Sequence, residues 1–319
     1  MGDVPTSPPA SVYRRRRIVA AAVLALVPAA AGALIGAGGE SGEPSSEAPR
    51  AGASATPAPP ELPRGGRSIF PRHRVVAYYG APQDDELGEL GIGSPASAAR
   101  RLERQAEAYD RPGRPVLPAL ELIAVIANAD AGEDGQYRSR QENAVIRRYL
   151  RAARRARMLL LLDIQPGRSD FFTEATRLER WLREPDVGLA LDPEWRVQPG
   201  EVPGQVIGSV DAREVNATTA WLAQLAERHD LPEKLVLIHQ FTDDMVDDKA
   251  LKARDGLQIV LNADGFGTRP VKKSKYHAFT RDAPGFGTGF KLFYREDVGL
   301  MTPRQVLRLR PPPDFVVYE

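Results

Sequence analysis

The sequence has no cysteine, only 4 histidines in 319 residues, and an aromatic content of 7%. The absence of cysteine excludes disulfides, cysteine-ligated zinc, iron–sulfur clusters, thiol nucleophiles and a lipidated cysteine. Neither sign of charge predominates, because 43 Lys and Arg residues stand against 42 Asp and Glu residues. Without a basic excess the chain has no positive field to hold a phosphate backbone, so nucleic-acid binding is not expected.

The first 39 residues have the pattern of an export segment. Arg14 to Arg17 form a basic run, and no charged side chain occurs from Ile18 to Gly39, as in a signal peptide. Ala29 to Ala31 offer a cleavage site. The alternative is an uncleaved anchor with the arginines in the cytoplasm. Both interpretations predict an extracellular or cell-envelope location, with membrane contact only through a possible N-terminal anchor.

Residues 40–67 are rich in Pro, Ala, Gly and Ser, and Leu62 is their only large aliphatic residue. Such a segment cannot bury enough apolar surface to offset its chain entropy. We therefore predict a disordered linker over 40–67 and a single folded domain over 68–319.

Short apolar runs alternate with segments of helical period through this domain, which predicts βα units around a parallel sheet. The domain length matches the ~250 residues of a (βα)8 TIM barrel, so the predicted fold class is an α/β protein with one such barrel. The rival, an open doubly wound sheet, lacks the G-x-G-x-x-G expected after its first strand. The predicted strands are Arg74 to Gly80, Val116 to Ala127, Met158 to Gln165, Val187 to Asp192, Leu235 to Gln240, Leu257 to Asn262, Phe290 to Tyr294 and Phe315 to Tyr318.

Polar residues close most of these runs, and barrel enzymes carry their sites at the carboxyl ends of the strands. Carboxylates, amides and ring hydroxyls grouped there are suited to binding sugar hydroxyls. The predicted substrate-binding residues are Tyr79, Asp163, Gln165, Trp195, His239, Gln240, Asn262, Asp264 and Tyr294.

The strongest local signal is the fourth run, which ends Leu191-Asp192-Pro193-Glu194-Trp195. Strand alternation places Asp192 and Glu194 on one face, with their Cα atoms ~7 Å apart. Two neighbouring carboxylates raise the pKa of one of them, so a proton donor at neutral pH becomes available. We predict Glu194 as general acid and Asp192 as its partner, with Trp195 offering a flat face to a sugar ring.

The stretch from Gly188 to Glu194 resembles the fourth-strand D-x-E signature of barrel glycosidases, both the family 25 lysozyme type and the family 18 chitinase type. The resemblance implies a glycoside hydrolase-like protein acting on a cell-envelope or extracellular polysaccharide. In the chitinase pattern the last Asp and Glu fall on Asp192 and Glu194, but Val187 and Ala190 replace two earlier acids. That replacement favours the alternative, a non-catalytic barrel that binds cell-wall glycan or an envelope partner.

The sequence predicts no metal site and no cofactor. Neither the H-E-x-x-H pattern of zinc peptidases nor an H-x-H pair is present. Two glycine-rich stretches, 264–267 and 284–289, do not match the phosphate-binding loop spacing. They are predicted instead to be hinges of a loop that covers the barrel mouth.

Overall fold

The computed structural model describes residues 58–246, 250–281 and 283–319, and the predicted export segment lies outside this part of the chain. The described residues form nine strands in one sheet. The strands are β1 (Arg74–Gly80), β2 (Val116–Ala127), β3 (Arg138–Arg140), β4 (Leu159–Ile164), β5 (Val187–Leu191), β6 (Lys234–Gln240), β7 (Leu257–Ala263), β8 (Gly287–Leu292) and β9 (Phe315–Tyr318).

Eight of these strands are parallel and close into a barrel. Each pairs with the next along the chain apart from β3, and β1 pairs with both β2 and β9. The remaining strand, β3, pairs antiparallel with the last residues of β2. The predicted (βα)8 barrel is confirmed.

Helices follow most strands and cover the outside of the barrel. The longer helices bury apolar residues against the sheet, as α1 does with Ala99, Leu102 and Ala106. Within the described ranges, no helix combines the length and apolar character needed to cross a bilayer. The helices are α1 (Pro95–Glu107), α2 (Asn143–Arg155), α3 (Phe171–Arg177), α4 (Glu179–Leu182), α5 (Ala212–Arg228), α6 (Arg269–Thr280) and α7 (Pro303–Val306).

The strands are buried on both faces, which explains their continuous apolar runs. Outward side chains such as Val76 and Leu160 pack with the helices. Inward side chains such as Val75, Leu161 and Leu237 fill the barrel. The interior is therefore a packed core below the layer where polar side chains begin.

The chain before β1 closes the floor of the barrel. Leu62 is 3% exposed and belongs to the same cluster as the inward side chains. Arg64 Nη1 donates a hydrogen bond to the Val116 carbonyl at 2.9 Å. Residues 62–67, within the predicted linker, thus lie packed against the domain.

The structure corrects three predicted elements. Strand β8 begins at Gly287 and not at Phe290, so residues 287–289 are barrel strand and not a loop hinge. A Cβ on Gly289 would lie 2.5 Å from Asn262 Oδ1, so glycine here makes room for that amide. Helical periodicity predicts one helix over 171–183, but the structure divides it at Leu178. The same periodicity predicts a helix over 243–253, where the described residues include no α-helix.

Candidate functional site

A layer of polar side chains lies inside the barrel at the carboxyl ends of the strands, and each parallel strand contributes to it. We call this layer the mouth ring. Because side chains alternate along a strand, the residue that enters the ring has the same inward direction as the apolar side chain two positions before it, as His239 does after Leu237. Its members, in chain order, are Tyr79, Glu121, Asp163, Asp192, His239, Asn262 with Asp264, Lys291 and Glu319.

His239 lies at the centre of this layer, with both ring nitrogens in contact with acids. Nε2 is 2.8 Å from Glu121 Oε1, and Nδ1 is 3.1 Å from Asp264 Oδ2. The Asn262 Nδ2 atom also approaches Nδ1, at 3.2 Å. These contacts fix the orientation of the imidazole.

Lys291 neutralises part of the acidic charge. Its ammonium lies 3.3 Å from Asp264 Oδ2 and 2.7 Å from Glu319 Oε2, and 3.8 Å from the centre of the Tyr79 ring. The Tyr79 hydroxyl accepts a hydrogen bond from Gln165 Nε2 at 3.0 Å and donates one to Asp163 Oδ2 at 3.4 Å. Tyr79 thus connects β1 to β4 and β8.

Asp192 and Glu194 lie at the end of β5, the fourth parallel strand, as the sequence indicates. The strand itself ends at Leu191, and Pro193–Trp195 form a single turn of 3-10 helix. Pro193 has no N–H to continue the ladder, which ends the strand at this point. Strand alternation therefore does not extend to Glu194, although its charge acts on Asp192.

Burial dominates the electrostatics of the acids. It raises the pKa of Asp163 well above its usual range, and the Asp192 charge adds to this. Burial, followed by Glu194 and Asp264, raises the pKa of Asp192 to about 7, while His239 opposes the shift. At neutral pH a substantial fraction of the Asp192 carboxyl groups is therefore protonated.

The two bases of the mouth ring have raised pKa values, whereas burial alone lowers the pKa of a base. Burial works against the charged forms of His239 and Lys291, but the surrounding carboxylates outweigh it. Glu121 and Asp264 raise the pKa of His239 well above 6.5. Asp264 and Glu319 raise the pKa of Lys291. Both groups are held as cations among the acids.

Several acceptor oxygens in the mouth ring have no hydrogen-bond donor among the described residues. Among the described residues, Glu121 Oε2, Asp163 Oδ1, Asp192 Oδ1 and Asn262 Oδ1 are buried and have no hydrogen-bond partner. Burying such an oxygen unpaired costs ~1–3 kcal/mol, and more when it is charged. The layer is therefore suited to a ligand that donates hydrogen bonds or carries positive charge.

Three predicted site residues lie beside the ring or away from it. Gln240 closes β6 and is buried, and Trp195 lies half-buried in the 3-10 turn. Tyr294 lies outside the barrel: it is 37% exposed and stacks on Tyr318, which packs with the helices. Because β8 ends at Leu292, alternation along the strand no longer directs Tyr294 inward.

Sequence reasoning missed Glu121 and Lys291. Glu121 lies in the middle of a strand of 12 residues, because β2 continues past the barrel rim to pair with β3. A rule that examines only the residues at strand ends therefore does not select Glu121. The available signal was a single acid within the apolar run VLPALELIAVIA, and for Lys291 a single base within FKLFY.

Comparisons with known proteins assign no family to this barrel. No protein-family model matches the chain, and no curated protein matches it. A structure of 5-methylcytosine deaminase from Klebsiella pneumoniae liganded with phosphonocytosine is 11% identical, with a TM-score of 0.31, over 64% of this chain and 45% of that chain. The same enzyme liganded with 5-fluorocytosine is 10% identical, with a TM-score of 0.31, over 72% and 53%. The match spans about half the length of the deaminase, and similarity at this level is too low to bear on function.

Proposed function

We propose that the chain is a glycoside hydrolase-like enzyme, with Asp192 and Glu194 at the barrel mouth as its acid–base pair. The supporting observation is the environment of Asp192, which follows the fourth parallel strand and has a pKa raised to about 7. A carboxyl that keeps a proton near neutral pH can donate it to a glycosidic oxygen as the bond to carbon breaks.

The two carboxyls have different roles in this proposal. The sequence alone favoured Glu194 as the acid, but the raised pKa of Asp192 makes Asp192 the better proton donor. Glu194 then acts as the carboxylate that activates water or stabilises positive charge at the sugar carbon. Each role needs the other group nearby, because the charge on Glu194 helps to keep Asp192 protonated.

The ring supplies acceptors for sugar hydroxyls. Asp163 Oδ1 and Asn262 Oδ1 are buried oxygens with no partner among the described residues, and a hydroxyl donor would satisfy either. Asp192 and Glu194 are only 3% and 5% exposed. In this proposal the substrate enters the mouth end-on, as a chain terminus or a small glycoside and not as the interior of a polymer.

The proposed substrate belongs to the cell envelope or the extracellular space. This part of the proposal depends on the basic run Arg14 to Arg17 and the uncharged run after it, which predict export. The substrate class is then an envelope or extracellular polysaccharide, approached from its chain end.

A second candidate is a barrel that binds cell-wall glycan, or an envelope partner, without cleaving it. The observation in its favour is β5 itself, where Val187 and Ala190 are buried apolar residues. The chitinase-type pattern has acids at these two positions.

Reducing-end release from soluble glycans and cell-wall preparations separates the two candidates. The enzyme proposal expects release by the wild type and a loss of ~100-fold or more in Glu194→Gln, with retained binding to the same glycan. Glu107→Gln, on the exposed face of α1, is the matched control and should behave as the wild type. Glycan binding without any release by the wild type would favour the second candidate.

A further inference from the structure

A compact group of potential metal donors lies at the axis of the barrel. Glu121, Asp163 and His239 come from β2, β4 and β6, and one donor atom of each lies within 4.8 Å of the other two. Donor atoms around a tetrahedral zinc ion are about 3.5 Å apart, given bonds of about 2.1 Å. Small side-chain movements would thus close these three atoms around one ion.

The charge balance of the mouth ring favours a cation. Glu121, Asp163, Asp192, Asp264 and Glu319 are its acids, and only Lys291 and His239 oppose them. Lys291 is already engaged by Asp264 and Glu319. The acids on the opposite side of the barrel therefore have no lysine or arginine partner in the ring.

Unsatisfied oxygens provide a second and independent observation. Glu121 and Asp163 are both 0% exposed, and Glu121 Oε2 and Asp163 Oδ1 have no hydrogen-bond partner among the described residues. Buried carboxylate oxygens are normally paired or bound to a metal. Two of the three donor residues therefore carry an oxygen that a bound cation would satisfy.

The third donor is already oriented as a ligand. Asp264 Oδ2 lies 3.1 Å from His239 Nδ1, so a proton on Nδ1 is donated to Asp264. A metal ion that displaces the proton on Nε2 would bind at this nitrogen, which lies 2.8 Å from Glu121 Oε1. Metal-binding histidines commonly have this arrangement, in which a carboxylate behind the ring fixes the tautomer.

We propose that Glu121, Asp163 and His239 bind one divalent transition-metal ion, with Asp264 positioning His239. One imidazole and two carboxylates suit Zn²⁺ or Mn²⁺. Three protein donors leave a coordination position open, as in catalytic sites. The donors do not include the proposed acid–base pair Asp192 and Glu194, and Asp163 is the one residue that this site shares with the proposed acceptors for sugar hydroxyls.

Titration of the full chain with ZnCl₂ after treatment with EDTA tests the site. Calorimetry should give about one Zn²⁺ per chain with Kd of about 1 μM or tighter. Glu121→Gln and His239→Asn should each weaken binding by ~10-fold or more, and Asp264→Asn by ~10-fold. His229→Ala is the histidine control and Glu107→Gln the carboxylate control, because both side chains are exposed on the outside of the domain. Both should bind as the wild type does.

Circular dichroism in EDTA shows whether each variant folds. Should the donor variants not fold, Co²⁺ added to the wild type gives the answer: d–d absorption bands of a histidine-ligated ion, removed by one equivalent of Zn²⁺, support the site. Wild-type protein that binds less than ~0.2 equivalents of Zn²⁺, or donor variants that bind as tightly as the wild type, would overturn it. These measurements involve no substrate, so they are independent of the hydrolase proposal.

Discussion

Glu121 and His239 meet at the axis of the barrel with 2.8 Å between Oε1 and Nε2, although 118 positions separate them in the sequence. Neither residue is more than 1% exposed. Barrel closure creates this contact, because β4 and β5 separate β2 from β6 in the sheet and only the inward side chains of these two strands meet. The mouth ring is therefore a property of the closed fold and not of any local motif.

The floor of the barrel gives a prediction about the domain boundary. Arg67 Nη1 donates to the Pro60 carbonyl at 2.9 Å, and Leu62 is buried beneath the strands. We expect trypsin to cleave after Arg50, which lies in the predicted linker. The bonds after Arg64 and Arg67 should remain intact. Mass spectrometry of the resistant fragment measures this. Protein unfolded in urea is the control and should be cut at all three sites, whereas a native core that begins at Ser68 would contradict the packing described here.

The ion pairs between β3 and α3 predict acid sensitivity. Glu174 is buried and accepts from Arg138 Nε at 2.9 Å and Arg140 Nε at 2.6 Å. Burial opposes ionisation, but these arginines together lower the pKa of Glu174 below 4.5. Since the folded pKa is depressed, this stabilisation is complete above the unfolded pKa and is lost as pH falls through the folded pKa.

Replacing Glu174 by Gln removes the buried acid shared by Arg138 and Arg140 and leaves Arg138 with Asp134 alone, at 2.8 Å. We expect the free energy of unfolding to fall by about 3 kcal/mol at pH 7, with a smaller difference between variant and wild type near pH 3. Urea unfolding at both pH values measures it. Glu142→Gln, on an exposed residue before α2, should change little. An E174Q protein as stable as the wild type at pH 7 would show that the pairs add no stability.

The burial of Lys234 predicts that the free energy of unfolding changes with pH above about 7. Its ammonium donates to the Val187 carbonyl at 2.9 Å and to the Glu184 carbonyl. Burial lowers its pKa from 10.5 to about 7, against the charges of Asp186 and Glu184. The unfolded chain therefore binds more protons between these values, so stability should rise with pH from about 7.

The Lys234→Met variant removes the amine that takes up a proton when the chain unfolds in this pH range. Its free energy of unfolding should show a smaller rise between pH 7 and pH 9 than that of the wild type, which gains up to ~1.4 kcal/mol per pH unit from this lysine. Guanidinium unfolding at three pH values in this range measures both proteins. Parallel pH profiles for the two proteins would mean that Lys234 keeps its ordinary pKa in the folded state.

Much of the fold was predictable because each barrel strand is an apolar run with a polar residue at its end. Asp163, Asp192, His239 and Asn262 were found by this rule, since the barrel core stops where polar side chains begin. Glu121 was not, because β2 runs on past the rim. Tyr294 was assigned to the site although it lies outside the barrel, because the end of β8 at Leu292 was not evident from the sequence.

The helical layer was harder to predict in detail. Capping contacts decide where short helices begin, as when Asp170 accepts from Thr173 N at 2.7 Å to start α3. The break at Leu178 interrupts a continuous apolar stripe, which by itself predicts one longer helix. Periodicity therefore located most of the helices but not all of their ends, and it also predicted a helix over 243–253, where the described residues include no α-helix.

Chemistry at the barrel mouth is proposed to depend on Asp192, and kcat/KM at pH 7 for Asp192→Asn beside Tyr294→Phe tests this most directly. Both residues follow barrel strands, but Asp192 joins the mouth ring and Tyr294 stacks on Tyr318 outside it. On any glycan that the wild type hydrolyses, we expect kcat/KM to fall ~100-fold or more in Asp192→Asn and to stay within about 2-fold of wild type in Tyr294→Phe. An Asp192→Asn protein with wild-type kcat/KM would contradict the account.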